Sequence, residues 1–478
     1  MTAAAPPLRH NPGFLPDDEL VAGFVVREAE LAALVETVRE NTGAASIQHV
    51  LLVGRRGAGK TTLLRRVAAE ITRDAALADA WQPIRFGEEA YGVSSVGELW
   101  LEALRHVAEA SGDGRWSAAH AELRTERDER RLQTLALGRL LDFSEEHDKQ
   151  LLILVENLQL LLGGGQIGAE GAWALRHTLQ NEPRVMLLGS ATARFDAITD
   201  RRQALFDLFD VRELPPLEDA AVRSLWTHVA GEDLAGRRVR PVAILTGGNP
   251  RLVANLAAWS GGGTPRDLMP ALRRLLDDQT AWLKAHVEDL PPQERKVFSH
   301  LADLWHPATA REVAAEGRLE VNVVSANLKR LVGRGLVAEV GSAGRARYYE
   351  VAERMVNLWH LVRAGGAAEA QVTALVAFMG AFYAERLADV PTLDGAALTA
   401  RLAARPALAE AVALTLKAAA TGAARDLGEV VAAGPMAAGL RPVGAALRLL
   451  AGEVVREPRE VMEVAADVRR RLEDTRAT

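Results

Sequence analysis

The stretch His49-Val-Leu-Leu-Val-Gly54-Arg-Arg-Gly-Ala-Gly59-Lys60-Thr61 sets the class of fold that this 478-residue chain adopts. Its first five residues are an apolar run of β-formers, which is typical of a strand buried on both faces. After Gly59 the apolar residues recur at helical spacing, at positions 63, 64, 67, 68 and 71. A glycine-rich turn thus joins a buried strand to an amphipathic helix, and in that context backbone amides can surround a phosphate group.

The turn matches the pattern G-x-x-x-x-G-K-[ST]. Its glycines let backbone N–H groups face the β-phosphate, and the following helix adds the partial positive charge of its N-terminus. We expect Lys60 to reach the β- and γ-phosphates and the Thr61 hydroxyl to ligate Mg²⁺. The predicted cofactors are therefore ATP and Mg²⁺, and the residues predicted to hold them in this loop are Gly54, Gly57, Ala58, Gly59, Lys60, Thr61 and Thr62.

The composition of the whole chain excludes several kinds of site. A net charge of −6 at pH 7 argues against bulk electrostatic coating of nucleic acid, although a local basic face stays open. The absence of cysteine excludes disulfides, thiolate zinc sites and cysteine nucleophiles. We find neither a secretory signal nor a run of about twenty apolar residues that could span a bilayer. The sequence therefore predicts a cytoplasmic protein with no membrane partner.

Four further apolar runs indicate strands, and helical patterns separate them. Strands are predicted over Trp81–Phe86, Gln150–Val155, Val185–Gly189 and Asp210–Leu214, and helices over Glu28–Glu40, Ser95–Ala110, Arg131–Glu146 and Ala169–Gln180. Alternating strands and helices predict an α/β fold with a parallel sheet covered on both faces. Because only one strand lies between the glycine loop and Gln150–Val155, we expect that run to lie directly beside the strand of the loop.

The run Gln150–Val155 is followed by Glu156-Asn157, for which two alignments are open. ATPases with such a loop and an extra strand usually carry Asp-Glu here: the aspartate orders the water shell of Mg²⁺ and the glutamate polarises the attacking water. In the favoured alignment Glu156 replaces the aspartate and Asn157 the glutamate; in the other, Glu156 is the catalytic acid and Val155 replaces the aspartate. An asparagine can orient a water but cannot accept its proton. Both alignments predict slow hydrolysis of ATP to ADP and phosphate, or a switch held by its nucleotide.

Four further polar residues are candidates for contact with the γ-phosphate. Ser190 and Thr192 follow the strand over Val185–Gly189, where such ATPases place a polar sensor; an ordinary turn or helix cap is the alternative. Arg201 is a candidate to neutralise charge on the γ-phosphate of a neighbouring subunit, and a solvated surface arginine is the alternative. Arg251 follows a tight turn at the start of a predicted helix, from which it could fold back onto the γ-phosphate of its own subunit.

Several motifs occur together in a familiar order. Phe24-Val-Val-Arg27-Glu28, the phosphate loop, Val155–Leu158, Leu188–Ser190 and Gly247-Gly-Asn-Pro-Arg251 resemble the AAA+/STAND ATPases, in particular the archaeal-type and origin-recognition-like branch that carries a winged helix after its lid. The resemblance covers about residues 20–363. It implies a P-loop NTPase core, a small helical lid, and ATP-dependent switching or homo-oligomerisation. It also implies that Arg27 lies near the adenine and that Arg251 is the arginine sensor of the lid.

Breaks in the pattern predict the domain boundaries. The strand signals end at Pro215-Pro216, Pro291-Pro292 opens a new unit, and the chain is rich in alanine and leucine after residue 363. We predict a flexible lead-in over 1–20, an ATPase core over 21–216, a helical lid over 217–290, a winged helix-turn-helix over 291–363 and an α-helical domain over 364–478.

The pattern of a winged helix-turn-helix rests on five predicted elements. Helices are expected over Pro292–Leu301, Thr309–Glu316 (with Thr309 as its N-cap) and Val321–Val332, and strands over Gly335–Val340 and Arg347–Val351. If residues 309–347 bind duplex DNA, the third helix enters the major groove, with Asn322, Ser325, Asn327 and Lys329 as candidate base readers and Arg330, Arg334, Arg345 and Arg347 as candidate phosphate contacts. Acidic residues offset these basic ones, so packing on the ATPase core is an equal alternative.

Three functions are consistent with these features. The first is an ATP-driven switch whose winged helix acts on DNA or in a regulatory complex. The second is a signal-transduction ATPase that binds a protein partner through its helices over 364–478. The third is a pseudo-ATPase scaffold that binds the nucleotide without turning it over. A metabolic kinase is disfavoured, because nothing beyond the phosphate loop resembles a small acceptor site.

Overall fold

The computed structural model describes residues 15–87, 92–162, 166–234, 236–260, 268–304, 308–343 and 346–364. The chain divides into two compact units, and the first ends at Pro215 where the second begins at Pro216. The helical domain predicted over 364–478 and its expected protein partner lie, apart from Ala364, outside the described residues. In the described ranges, no helix has the length and apolar character needed to cross a bilayer.

Five parallel strands form the sheet of the first unit. They are β1 (His49–Val53), β2 (Trp81–Arg85), β3 (Gln150–Val155), β4 (Val185–Ala191) and β5 (Phe209–Glu213). All five strands predicted from the sequence are confirmed to within two residues at each end. The α/β fold with a parallel sheet, which the apolar runs predicted, is confirmed as well.

The predicted position of β3 is wrong. The strand order is β2-β3-β4-β1-β5, so β4 lies between β3 and the strand of the phosphate loop. The register pairs Leu52 of β1 with Ser190 of β4, and Leu154 of β3 with Leu188 of β4. Buried parallel strands are apolar throughout, and a crossover can pass over a neighbour, so the sequence carried no signal for this order. Its consequence is that Ser190 lies on the strand next to the loop.

Helices cover both faces of the sheet. The helices of the first unit are α1 (Asp17–Ala22), α2 (Glu28–Glu40), α3 (Lys60–Arg73), α4 (Ala75–Ala80), α5 (Val96–Ser111), α6 (Gly114–Leu123), α7 (Glu129–His147), α8 (Leu158–Leu162), α9 (Ala169–Asn181) and α10 (Asp196–Thr199). Successive strand residues face opposite sides, and accordingly Leu51 packs with α5 and α7 whereas Leu52 packs with α2 and α3. The end of the predicted lead-in is helical from Asp17, and α1 buries Leu20.

The second unit begins with helices and ends around a small sheet. Its helices are α11 (Asp219–Ala230), α12 (Gly236–Thr246), α13 (Pro250–Ser260), α14 (Leu268–Asp278), α15 (Thr280–Glu288), α16 (Pro292–Leu304), α17 (Ala310–Gly317), α18 (Val321–Gly333) and α19 (Arg354–Ala364). Its strands are β6 (Ala308–Thr309), β7 (Val337–Ala343) and β8 (Ala346–Val351), in the antiparallel order β6-β8-β7. Thr309 is the N-cap of α17, as predicted, and forms a capping box with Glu312.

Candidate functional site

The phosphate loop connects the end of β1 to the start of α3. Gly57 and Gly59 adopt positive φ angles of 77° and 93°, which side chains other than glycine rarely adopt. Gly54 is favoured for a different reason, because a Cβ atom there would lie 3.2 Å from Cβ of Leu214 and 3.3 Å from Cβ of Ala58, closer than ordinary van der Waals contact. The backbone therefore forms an open turn with α3 beginning at Lys60, directly beyond it.

Lys60 lies over this turn and is only 8% exposed. Its Nζ donates to the carbonyl oxygen of Gly54 at 2.5 Å and to that of Arg55 at 3.0 Å. A buried ammonium group must be matched by acceptors, and the loop carbonyls supply them. The charge is thus held at the helix N-terminus, where it can interact with an anionic ligand together with the helix dipole.

The first turn of α3 and the end of β3 meet through their polar side chains. The Thr61 hydroxyl donates to Oε2 of Glu156, so a hydroxyl and a carboxylate, both ligands suited to Mg²⁺, are adjacent. The next residue, Asn157, has a φ of 52°, a left-handed conformation that asparagine tolerates better than most residues. Its carbonyl accepts a hydrogen bond from Leu160 at 2.8 Å, which begins α8.

The end of β4 lies beside the phosphate loop. The amide of Gly54 donates to the carbonyl of Ala191 at 3.1 Å. Ser190 is 1% exposed, and its hydroxyl has no hydrogen-bond partner within the described ranges. Thr192 follows at the same edge and is partly buried. The structure therefore brings the ends of β1, β3 and β4 together with the candidate residues Lys60, Thr61, Glu156, Asn157, Ser190 and Thr192.

Arg27 precedes α2 and is buried in the first unit. Its φ is 72°, and the residue is 7% exposed. Nη1 donates to Oε1 of Glu30 at 2.8 Å, and Nη2 donates to the carbonyl of Pro215, which follows β5. No sequence pattern predicted the contact with Pro215, since the two residues are 188 positions apart.

Arg201 lies in a loop between α10 and β5 and is exposed. The loop is fixed by Arg176 of α9, whose Nη1 donates to the carbonyls of Ala204 at 2.6 Å and Phe206 at 2.7 Å. The neighbouring Arg202 pairs with Asp200 at 2.8 Å and lowers the pKa of that carboxyl to about 2. Arg202 thus pairs with Asp200, and Arg201 is exposed beside it.

Arg251 belongs to the second unit and is the second residue of α13. Oδ1 of Asn249 accepts hydrogen bonds from the Arg251 amide at 3.1 Å and from the Leu252 amide at 3.4 Å, which caps the helix. Nη2 of Arg251 donates to Oε1 of Gln279 at 3.3 Å. Its guanidinium therefore contacts the start of α15 in its own unit, and the predicted sensor role stays a prediction.

The exposed face of α18 differs from the predicted one at a single residue. Asn322, Ser325 and Lys329 are exposed, as base readers must be. Asn327 is a wrong candidate, because it is 2% exposed and its Nδ2 donates to the carbonyl of Val323 at 2.8 Å. It lies three residues after the buried Val324, and this helical spacing places it on the apolar face.

The candidate phosphate contacts of the second unit divide into three kinds. Arg334 pairs at 2.9 Å with Glu294, which is 4% exposed, and Arg347 pairs at 3.0 Å with Glu339. Arg330 is exposed on α18, and Arg345 lies outside the described residues. The pairs reduce the charge that Arg334 and Arg347 could offer to a phosphate.

Comparison with known proteins locates the first unit in a family. A family model described as the AAA ATPase domain matches residues 23–191. Residues 23–191 are an AAA ATPase domain. The AAA domain includes the phosphate loop, β3 with Glu156, and Ser190 of β4. The chain accordingly contains an ATPase domain with a P-loop fold.

Solved structures are similar over a longer part of the chain. The Walker-type ATPase PABY2304 of Pyrococcus abyssi is 16% identical with a TM-score of 0.51, over 70% of this chain and 96% of that one. The Orc1 protein of Aeropyrum pernix, solved in complex with DNA, is 18% identical with a TM-score of 0.41, over 74% and 96% of the two chains. At these identities the first similarity shows the fold alone. No curated protein matches the chain in sequence.

Proposed function

We propose that the chain is a switch that binds ATP with Mg²⁺ in its AAA domain and hydrolyses it slowly. The observation that carries the proposal is the contact between the Thr61 hydroxyl and Glu156. It favours Glu156 as the acid that faces the metal and leaves Asn157 in the position of the catalytic glutamate. The other alignment needs Val155 beside the metal, but Val155 is fully buried in the hydrophobic core.

Thr61 and Glu156 are the residues that would hold Mg²⁺. The hydroxyl and the carboxylate are both oxygen ligands, and Mg²⁺ in ATPase sites is commonly held by one or two protein oxygens, water and substrate phosphates. When bound, the metal would offset negative charge on the β- and γ-phosphate oxygens. The loop amides and Lys60 would bind oxygens of the same phosphates.

The polar groups around the reacting water explain why turnover is slow. The amide of Asn157 can accept a hydrogen bond from a water and so orient it, but it cannot take up the proton that hydrolysis releases. The buried Ser190 hydroxyl has no protein partner in the described ranges, and an unsatisfied buried hydroxyl is costly unless a ligand completes its hydrogen bonding. We assign Ser190 to a contact with the γ-phosphate or the attacking water.

The direct test is the rate of phosphate release by the purified full chain, with Lys60→Ala as the inactive control. We expect turnover below about 1 s⁻¹, the low end of ordinary enzyme rates, and none above background in the control. Asn157→Glu should raise the rate by supplying the missing base. Rapid release by the unaltered chain, or release that persists in Lys60→Ala, would contradict the proposal.

The exposed position of Arg201 supports a nucleotide site that a second copy of the chain completes. Arg201 is exposed and held on a fixed loop, as an arginine that reaches a neighbouring γ-phosphate must be. We expect Lys60→Ala and Arg201→Ala to be inactive separately and active when mixed, because the first variant supplies Arg201 to the intact site of the second. Mixtures that stay inactive, although both variants associate, would show that Arg201 does not act between subunits.

A second function, contact with duplex DNA, is favoured by the exposed stripe of Asn322, Ser325 and Lys329 on α18. We propose that α16–α18 with β6–β8 form a winged helix whose third helix enters the major groove. The test is fluorescence anisotropy of labelled duplex DNA with Lys329→Ala, and with Lys296→Ala, an exposed lysine on α16, as the matched control. Equal affinities of both variants and the unaltered chain would exclude α18 as the DNA-binding face.

A further inference from the structure

The dipeptide Pro215-Pro216, here called the proline linker, joins the two units of the chain. Proline has no backbone N–H group, so the linker can form backbone hydrogen bonds only through its carbonyl oxygens. Both prolines are exposed, whereas the flanking Leu214 and Leu217 are buried. The conformation of the linker is therefore determined by the two leucine amides and by the donors that reach its carbonyls.

Each of these groups hydrogen-bonds to a segment that the sequence predicts to contact the nucleotide. On the side of the first unit, the Leu214 amide donates to the carbonyl of Val53 at 2.8 Å, at the root of the phosphate loop. In the second unit, the Leu217 amide donates at 2.8 Å to the carbonyl of Gly248, in the turn that precedes Arg251. Between them, Nη2 of Arg27 donates to the carbonyl of Pro215.

Arg27 has an unusual backbone conformation and an unusual degree of burial. Its left-handed backbone is uncommon for a residue with a long side chain, and its side chain is only 4% exposed. Glu30 balances the charge, but the Nε donor is buried and has no hydrogen-bond partner in the described ranges. Backbone strain together with an unsatisfied buried donor indicates a functional position.

We propose that Arg27 is a positioning residue that transmits occupancy of the nucleotide site to the proline linker. The inference rests on the proposed function, since it requires ATP to bind in the AAA domain. A bound nucleotide fixes the phosphate loop, whose root at Val53 accepts the Leu214 amide, while Arg27 holds the adjacent Pro215 carbonyl. The hydrogen bonds at Leu214 and Pro215 are therefore more stable with the nucleotide bound than with an empty site.

The test is hydrogen–deuterium exchange of the peptide over 209–222 in the full chain, with and without ATP and Mg²⁺. Each variant is saturated at roughly twenty times its own measured Kd, so that a loss of affinity does not enter the comparison. We expect ATP to slow exchange of the Leu214 amide by about tenfold, the factor for one charge-assisted hydrogen bond. Arg27→Lys keeps the charge but lacks the planar fork, and should reduce this slowing to less than about threefold.

Arg295→Lys is the matched control, because Arg295 donates in the same way to the carbonyls of Val287, Glu288 and Leu290, away from the linker. It should retain the full slowing. Gly248→Ala tests the linker from the second unit, because the added Cβ would lie 2.7 Å from the Leu217 oxygen and 2.9 Å from its nitrogen. This variant should lose protection at Leu217 and keep it at Leu214.

The outcomes separate the two proposals. If the unaltered chain does not bind ATP, the proposed function fails. If it binds ATP but exchange at the linker is unchanged, or is slowed equally in Arg27→Lys, the inference about Arg27 is overturned. If thermal melting shows that Arg27→Lys is unfolded, the unaltered chain and Gly248→Ala still test the inference. Exchange of the Leu214 amide that ATP does not slow in either of them would overturn it.

Discussion

The carboxyl edge of the sheet in the AAA domain and the exposed face of α18 both carry polar side chains, but under different constraints. At the sheet edge, Lys60 and Ser190 are 8% and 1% exposed, so each needs a specific acceptor or ligand to offset its desolvation. On α18, Asn322, Ser325 and Lys329 face water, which satisfies them at no cost. The more free energy it costs to bury a polar side chain, the more strongly that side chain therefore indicates a function.

The same contrast holds for charge. The buried Lys60 ammonium donates to the carbonyls of Gly54 and Arg55, and it lies at the N-terminus of α3, where positive charge attracts an anionic ligand. In the second unit, Glu294 and Glu339 pair with two of the arginines that the sequence suggested for DNA. Counting basic residues in a sequence overstates the charge that a surface offers, because ion pairs form within that surface.

The largest expected effect tests this contrast with a pair of lysines. Lys60→Ala removes a buried charge beside the phosphates, and we expect the affinity for a fluorescent ATP analogue to fall by roughly 100-fold or more, about 2.7 kcal/mol. Lys329→Ala, at an exposed position of α18, should leave that affinity unchanged. A Kd for Lys60→Ala within about threefold of the unaltered chain would show that the loop does not bind the phosphates as proposed.

A pair of glycines gives the next effect, on stability. Gly54→Ala places a Cβ atom 3.2 Å from Leu214 and 3.3 Å from Ala58, and we expect a loss of about 1–3 kcal/mol from overpacking. Gly333, the last residue of α18, has no atom within 4 Å of a built Cβ, so Gly333→Ala should stabilise by up to about 1 kcal/mol. Urea unfolding measures both, and a tolerated Gly54→Ala would mean that the root of the loop can relax.

The sequence predicted those parts of the molecule that require a particular backbone. Gly57 and Gly59 occupy positive φ angles, and β1 and β3 are buried along nearly their whole length, so glycine spacing and apolar runs located them. The order of the strands was not predictable, because every interior strand is apolar and any pair of them could be neighbours. The contact between Thr61 and Glu156, which favours one of the two open alignments, likewise depends on tertiary geometry.

The error at Asn327 has a similar origin. Polar residues on a predicted third helix were assigned to the exposed face, but Asn327 satisfies its amide on the carbonyl one turn earlier and packs with the apolar residues. A side chain that satisfies its own hydrogen bonds locally gives no sign in the sequence that it is buried. The helical spacing from Val324 was the one signal that could have identified it.

Asparagine variants measure that difference directly. We expect Asn327→Ala to destabilise the chain by about 1 kcal/mol, since it removes a buried hydrogen bond, and Asn322→Ala to change stability by less than about 0.5 kcal/mol. In the DNA-binding assay the order should reverse, with Asn322→Ala weakening binding at an unchanged melting temperature. If Asn327→Ala alone weakened DNA binding without loss of stability, Asn327 would face the DNA and this orientation of α18 would be wrong.

The smallest effect concerns a buried histidine of the AAA domain. His49 hydrogen-bonds through Nε2 to the carbonyl of Leu179 at 2.8 Å and accepts at Nδ1 from the Leu187 amide at 3.1 Å. Burial is the main cause that lowers its pKa from 6.5, because the charged imidazolium is poorly solvated there.

A histidine with a lowered pKa binds fewer protons in the folded state than in the unfolded state, so stability is complete above about pH 6.5 and falls as the pH drops below it. Protonation also places a second N–H group against the Leu187 amide, which opposes the link between β1 and β4. His49→Gln should therefore flatten the stability profile between pH 7 and pH 5 in urea unfolding. If His49→Gln and the unaltered chain gave profiles of the same shape, other groups would cause the loss of stability at low pH. The buried polar contacts of the AAA domain would then contribute less to stability than their burial, compared with the exposed residues of α18, suggests.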